Sequence, residues 1–203
     1  MKLYYAPGAC SLAPHIALVE AGIPYELARV DLRTHQTADG RDFHTINPKG
    51  YVPVIELDDG TRLTEAAAVL QYIADRVPEK LSPPAASFEH YRLIEWLNFI
   101  STELHKGMGA LWNPSISEEQ RVAVTQRLAH RFTYAGEALE RNPFLLGSRF
   151  SIADAYLFTV LGWYKPLKID LSRWPALLGF LERVGERPAV RQAMREEGLL
   201  KGS

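Results

Sequence analysis

Cys10 is the sole cysteine among 203 residues, and it stands at a junction suited to sulfur chemistry. Lys2-Leu3-Tyr4-Tyr5 reads as a short strand and Leu12 to Ala21 as a helix, so the thiol lies just ahead of a helix N-terminus. Unpaired N–H groups and the positive end of the helix dipole favour a thiolate there. The competing reading is a buried structural cysteine, since unpaired cysteines are among the most buried residues. His105, in Thr102-Glu103-Leu104-His105-Lys106-Gly107, is a second candidate. An imidazole beside a thiolate can donate to it or act as general acid or base. A lone helical histidine can equally be structural.

Two further segments could hold a ligand. Thr64-Glu65-Ala66-Ala67 opens a helix whose N–H groups suit a carboxylate, while Glu65 offers an acceptor to an ammonium group. Together they fit an amino-acid headgroup. They also fit a plain helix start, with Thr64 as cap and Glu65 complementing the dipole. Val52-Pro53-Val54 places proline at a strand start, where it need not donate to a ladder. A cis bond there would leave the N–H and C=O of Val52 to pair with an extended, peptide-like ligand, and an ordinary trans proline is the alternative.

The elements that must position these residues alternate over the first 77 positions. Strands are expected at Lys2–Tyr5, Tyr25–Val30, Val52–Leu57 and Thr61–Leu63. Helices are expected at Leu12–Ala21, Asp39–Ile46 and Glu65–Val77, giving the order β-α-β-α-β-β-α. The helical crossover implies parallel strands early, and the Asp58-Asp59-Gly60 turn implies an antiparallel pair late. Residues 78–87, with Pro78, Pro83 and Pro84, read as a linker. Residues 88–203 read as all-helical, with helices at 91–111, 118–141, 153–163, 175–186 and 189–197. Tyr91, Glu95, Asn98, Thr102 and His105 recur at spacings that put them on one helix face. Ser151-Ile152-Ala153-Asp154 matches a capping box, which is folding information rather than chemistry.

Composition narrows the function classes. Hydrophobic residues make up 47% of the chain, enough for a real core. A net charge of −1 gives no footprint for nucleic acid. No apolar run reaches membrane-spanning length, and the N-terminus lacks the pattern of a signal peptide. One cysteine excludes an internal disulfide, and the six histidines show no ligand pairing for zinc. A protein of the reducing cytoplasm, with no metal, is expected.

Taken together, the chain resembles the cytosolic glutathione S-transferases, specifically the bacterial beta class. The resemblance rests on Tyr5-Ala6-Pro7-Gly8-Ala9-Cys10-Ser11-Leu12, Asn47-Pro48-Lys49-Gly50-Tyr51-Val52-Pro53, Leu63-Thr64-Glu65-Ala66, Glu95-Trp96-Leu97-Asn98-Phe99-Ile100, Thr102 to Gly107 and Phe150 to Tyr156. It covers essentially the whole length, and the order and spacing of the segments are jointly specific. It implies a thioredoxin-like N-terminal domain, an all-α C-terminal domain and a homodimer. It also implies glutathione as co-substrate: Val52 and Pro53 at its cysteinyl backbone, Glu65 and the Ala66 amide at its γ-glutamyl headgroup. Asn98, Thr102 and Glu103 would add polar contacts, some across the dimer interface. Cys10 and His105 would lie near the sulfur, with Ser11 and Lys106 close by, and a hydrogen bond from Cys10, Ser11 or His105 would stabilise the thiolate. The chain departs from the family where a lysine often meets the glycyl carboxylate, because His35 stands there. It departs again at Ala66, where many relatives carry serine.

The implied activity is conjugation of a glutathione thiolate to small hydrophobic electrophiles, with Met108, Trp112, Trp163 and Tyr164 as candidate wall residues. Thiol–disulfide or peroxide chemistry through Cys10 is a companion reading. Ala13 stands where a dithiol pair would put its second sulfur, so a second glutathione would have to resolve the adduct. Reductive dehalogenation and a non-catalytic ligand carrier or scaffold are the alternatives.

Overall fold

The computed structural model describes residues 1–200. Two compact units form among the described residues, one from Met1–Ser82 together with residues 187–200, the other from Pro83–Glu186. The sequence-based division assigned all of 88–203 to the helical domain. The fold instead groups the last helix with the first unit, and residues 201–203 lie outside the described residues.

The first unit is thioredoxin-like. Strands β1 (Lys2–Tyr5), β2 (Glu26–Asp31), β3 (Gln36–Thr37), β4 (Val54–Glu56) and β5 (Arg62–Thr64) form one sheet in the order β3-β2-β1-β4-β5. β1 runs parallel to β2, with Leu3 opposite Leu27, and antiparallel to β4, with Leu3 opposite Ile55. Helix α1 (Leu12–Ala21) supplies the crossover between the parallel pair, and Asp58–Gly60 closes the β4–β5 hairpin. Thus the early-parallel, late-antiparallel expectation holds. The expected helix at 39–46 does not form. A single 3-10 turn at Phe43–Thr45 takes its place, following the short strand β3. The segment is too polar to bury a helical face; it sinks Phe43 and Ile46 into the core with Tyr4, Val30, Val52 and Val54. Helix α2 (Ala66–Asp75) packs beside α1.

In the second unit, the expected helix over 91–111 is interrupted. Helix α3 (Phe88–Phe99) passes into a π-helical segment, Ile100–His105, before α4 (Lys106–Ala110) resumes. The Asn98 amide donates to the Ile94 carbonyl and the Thr102 hydroxyl to the Asn98 carbonyl, both at 3.0 Å. Such back-bonding to the preceding turn bends helices, and π-segments gather at functional sites. Helix α5 (Glu118–Arg141) follows, then α6 (Ile152–Leu161), every residue of which is buried, and α7 (Pro175–Gly185). Helix α8 (Pro188–Glu196) packs on α1 within the first unit. Among the described residues no helix is long and apolar enough to cross a membrane.

Candidate functional site

Cys10 lies in the β1–α1 loop, half-buried, and its thiol donates to the Val52 carbonyl at 3.2 Å. The expectation that the sulfur faces the N–H groups of α1 needs correcting. Leu12 N–H donates to the Ala9 carbonyl at 3.0 Å and Ala13 N–H to the Cys10 carbonyl at 3.2 Å. The turn's own carbonyls have taken those donors. Ser11, expected as a candidate activating hydroxyl, is fully buried. Its oxygen accepts from Ala6 N–H at 3.2 Å and lies 3.3 Å from the Ala6 carbonyl. It clamps the loop that carries Cys10.

The Val52–Pro53 bond is cis, and both residues are buried. Asn47 builds the turn ahead of them. Its Oδ1 accepts from Lys49 N–H at 3.2 Å, its Nδ2 donates to the Tyr51 carbonyl at 2.6 Å, and its own carbonyl accepts from Gly50 N–H at 2.9 Å. Gly50 must be glycine: φ is +72°, and a Cβ would stand 2.9 Å from His44 Nε2 and 3.3 Å from His35 Nδ1. The two imidazoles lie 4.5 Å apart. His35 Nδ1 is buried and has no hydrogen-bond partner. Cys10, Val52, Gly50 and His35 therefore form a continuous strip. The Val52 carbonyl, one lone pair of which is engaged by the thiol, retains a second for an extended ligand.

Glu65 caps α2 with φ +69°, a strained value for a residue with a side chain. Its Oε1 accepts from Lys49 Nζ at 2.5 Å and from the Tyr51 hydroxyl at 2.7 Å. These bonds raise the Lys49 ammonium and the Tyr51 phenol above their ordinary pKa values. An ammonium thus already sits where Glu65 was expected to meet one. Ala66 is the first residue of α2, and its side chain is buried.

The helical unit holds the rest. His105 ends the π-segment, where the looser winding takes it off the exposed stripe of Tyr91, Glu95, Asn98 and Thr102. Its Nδ1 is 2.7 Å from the Tyr156 hydroxyl, and its ring meets Trp163 edge-on at 5.1 Å. Trp112, half exposed, continues from Trp163 at 6.4 Å, whereas Met108 is wholly buried and belongs to the core. Tyr164 is partly exposed. Glu103 accepts from Arg131 Nε at 2.7 Å, and Lys106 is exposed.

Sequence reasoning missed several partners. Glu197 accepts from Gly8 N–H at 2.9 Å and lies 3.0 Å from His15 Nδ1, with both side chains buried. Nothing in the polar C-terminal run signals this, because the partner is 182 residues away. Lys49 and Tyr51 stood in a quoted motif, and a charge opposite Glu65 was a usable signal. Tyr156 was read only as part of an apolar helix. Among the described residues no group of His, Cys, Asp or Glu side chains could hold a metal ion.

The family models for the glutathione S-transferase N-terminal and C-terminal domains match residues 8–76 and 99–188. Glutathione S-transferase GstA of Escherichia coli O157:H7 is 48% identical over 98% of this chain and 100% of its own. The ternary complex of BphK, a bacterial GST, superposes with a TM-score of 0.96 at 56% identity, covering 98% of this chain and 100% of that one. The bacterial beta class enzyme of Sphingomonas chungbukensis does so with a TM-score of 0.94 at 43% identity, with 98% and 100% covered.

Proposed function

The chain belongs to the glutathione S-transferase family, resembling its bacterial beta class, and from that premise we propose that it conjugates the glutathione thiolate to small hydrophobic electrophiles in the cytoplasm. The observation that carries this reading is the strip on the first unit, where the Cys10 thiol meets the Val52 carbonyl next to the Asn47–Tyr51 turn. Glutathione lies extended along it. Its cysteinyl backbone pairs with Val52 beside Pro53. Its γ-glutamyl ammonium goes to Glu65, joining or displacing Lys49, and its α-carboxylate to the Ala66 amide at the start of α2. The unpartnered His35 nitrogen supports a role at the glycyl carboxylate.

His105 donates to the glutathione sulfur, and the Trp163–Trp112 aromatic face lines the electrophile site. Asn98, Thr102 and Glu103 add polar contacts to glutathione, some across a homodimer interface, with Arg131 holding Glu103, and Lys106 belongs to the groups close to the sulfur. Ser11 acts through the loop rather than on the sulfur. No metal is required.

Cys10 also supports a redox activity. Its thiolate attacks a glutathione-containing disulfide, forming a Cys10–glutathione disulfide and releasing the other thiol. A second glutathione thiolate then cleaves the adduct, giving oxidised glutathione and restoring Cys10.

The test compares conjugation of 1-chloro-2,4-dinitrobenzene and reduction of a mixed disulfide in wild type, Cys10→Ala and His105→Gln. We expect conjugation to survive Cys10→Ala in substantial part and to fall in His105→Gln, while disulfide reduction vanishes in Cys10→Ala. Absence of turnover of any electrophile by the wild type would reject conjugation. Disulfide reduction persisting in Cys10→Ala would reject the redox role.

A further inference from the structure

We propose that Tyr156 is a positioning residue for the conjugation reaction: its hydroxyl donates to His105 Nδ1, so that the neutral imidazole carries its proton on Nε2 and presents that N–H to the glutathione sulfur. The proposal rests on the reading of His105 as the group beside the sulfur.

The geometry is that of a built contact rather than a surface encounter. Tyr156 is 1% exposed and lies midway along α6, a helix with no exposed residue. Its oxygen is 2.7 Å from His105 Nδ1, and the two rings are nearly perpendicular, with centroids 5.8 Å apart. A buried phenol must find a partner, and an imidazole nitrogen is a good acceptor for it. The opposite sense would put the proton on Nδ1 and leave Nε2 only an acceptor, in conflict with the proposed donation to a thiolate, which is itself only an acceptor. Donation from the phenol removes that conflict, because the hydrogen bond at one ring nitrogen decides which atom of the other edge bears the proton.

Both partners are held in place. Two residues upstream of Tyr156, Asp154 accepts from the N–H and O–H of Ser151 and from the Leu145 N–H, each at 2.8 Å. That fixes the start of α6. On the other side, the π-segment turns His105 inward, and Trp163 closes one edge of its ring at 5.1 Å. An imidazole on a slack turn would otherwise rotate about its two side-chain bonds. The hydroxyl of Tyr156 converts that freedom into one orientation, and orientation of a positioned group is worth rate.

The experiment uses the full chain with histidine nitrogens labelled with ¹⁵N. Wild type, Tyr156→Phe and His105→Gln are compared in kcat and KM for glutathione with 1-chloro-2,4-dinitrobenzene. Their imidazole ¹⁵N spectra are recorded alongside, with His105→Gln serving to assign the His105 signals. We expect Tyr156→Phe to lower kcat by roughly tenfold, a fraction of what a positioned acid–base group contributes, with KM for glutathione within about twofold. The His105 Nδ1 signal should be that of an unprotonated, hydrogen-bonded nitrogen in wild type and move to that of an unbonded one in Tyr156→Phe. A phenol that only filled space would leave it unmoved, and a hydrogen bond that only supported the fold would leave kcat unmoved.

Unchanged kcat in Tyr156→Phe beside a reduced kcat in His105→Gln would overturn the proposal and leave the role of His105 standing. Unchanged kcat in His105→Gln would overturn the role of His105 and the proposal with it. Should Tyr156→Phe not fold, the wild-type spectrum decides: a proton on Nδ1 overturns the proposal, and a proton on Nε2 with an accepting Nδ1 supports it.

Discussion

The carboxylate of Glu197, next to the C-terminal end of α8, accepts a hydrogen bond from the backbone N–H of Gly8 at 2.9 Å. Its other oxygen lies 3.0 Å from Nδ1 of His15, which is wholly buried on α1. The loop that carries Cys10 is thus tied to the last helix of the chain. Glu196 adds to the tie through His15 Nε2 at 2.9 Å and the Tyr25 hydroxyl at 2.6 Å. Burial would raise the Glu196 carboxyl, but hydrogen bonds from Tyr25, Gln192 and His15 hold it below its ordinary value.

Removing that carboxylate should be costly. Glu197→Ala removes an acceptor from Gly8 N–H and from a buried imidazole nitrogen, which we expect to destabilise the protein by on the order of 3 kcal/mol. Glu197→Gln keeps an oxygen for one of them and should lose less. Urea unfolding of the three proteins is the measurement. Equal midpoints for Glu197→Ala and wild type would show that the tie carries no stability.

His35 brings a buried ring nitrogen without a hydrogen-bond partner to the place proposed for the glycyl carboxylate. His35→Ala should therefore raise KM for glutathione by roughly tenfold, the worth of one hydrogen bond to a charged group, with kcat little changed. Steady-state kinetics with glutathione varied is the measurement. An unchanged KM would remove His35 from the glycyl carboxylate.

Asp154 gives a pH signature of stability. Burial raises its carboxyl from 3.8 to about 6, against the opposing hydrogen bonds from Leu145 and Ser151. A carboxyl raised on folding contributes stability that is complete below its unfolded pKa and is lost as pH climbs through the folded value. The window therefore runs from about pH 4 to pH 6. Wild type should gain stability relative to Asp154→Asn as pH is lowered from 7.5 to 5, by roughly 1.4 kcal/mol, since that range takes in about one pKa unit of the window. Denaturant unfolding of both proteins at the two pH values tests this, and a difference independent of pH would contradict it.

Much of the architecture was legible because it is local. The helix at Leu12–Ala21 and the one at 118–141 appear with the boundaries their apolar spacing gives, and the Asp58–Gly60 turn joins two short strands as its residues require. The capping box at Ser151–Asp154 forms through bonds that span only three residues. The segment at 39–46 was misread because its outcome depends on Phe43 and Ile46 finding a sheet core made elsewhere.

The sequence by itself determined which residues could do chemistry: one thiol, one histidine on a polar stripe, and a glutamate opening a helix. Tertiary structure alone decided their company. It turned the Cys10 thiol to the Val52 carbonyl, spent the Ser11 hydroxyl on Ala6, brought Lys49 and Tyr51 onto Glu65, and set Tyr156 against His105. The physical reason is range. Propensity, capping and turn chemistry act over a few residues, whereas a buried hydrogen bond joins groups whose separation along the chain, 42 residues for Cys10 and Val52 and 189 for Gly8 and Glu197, leaves no periodic trace.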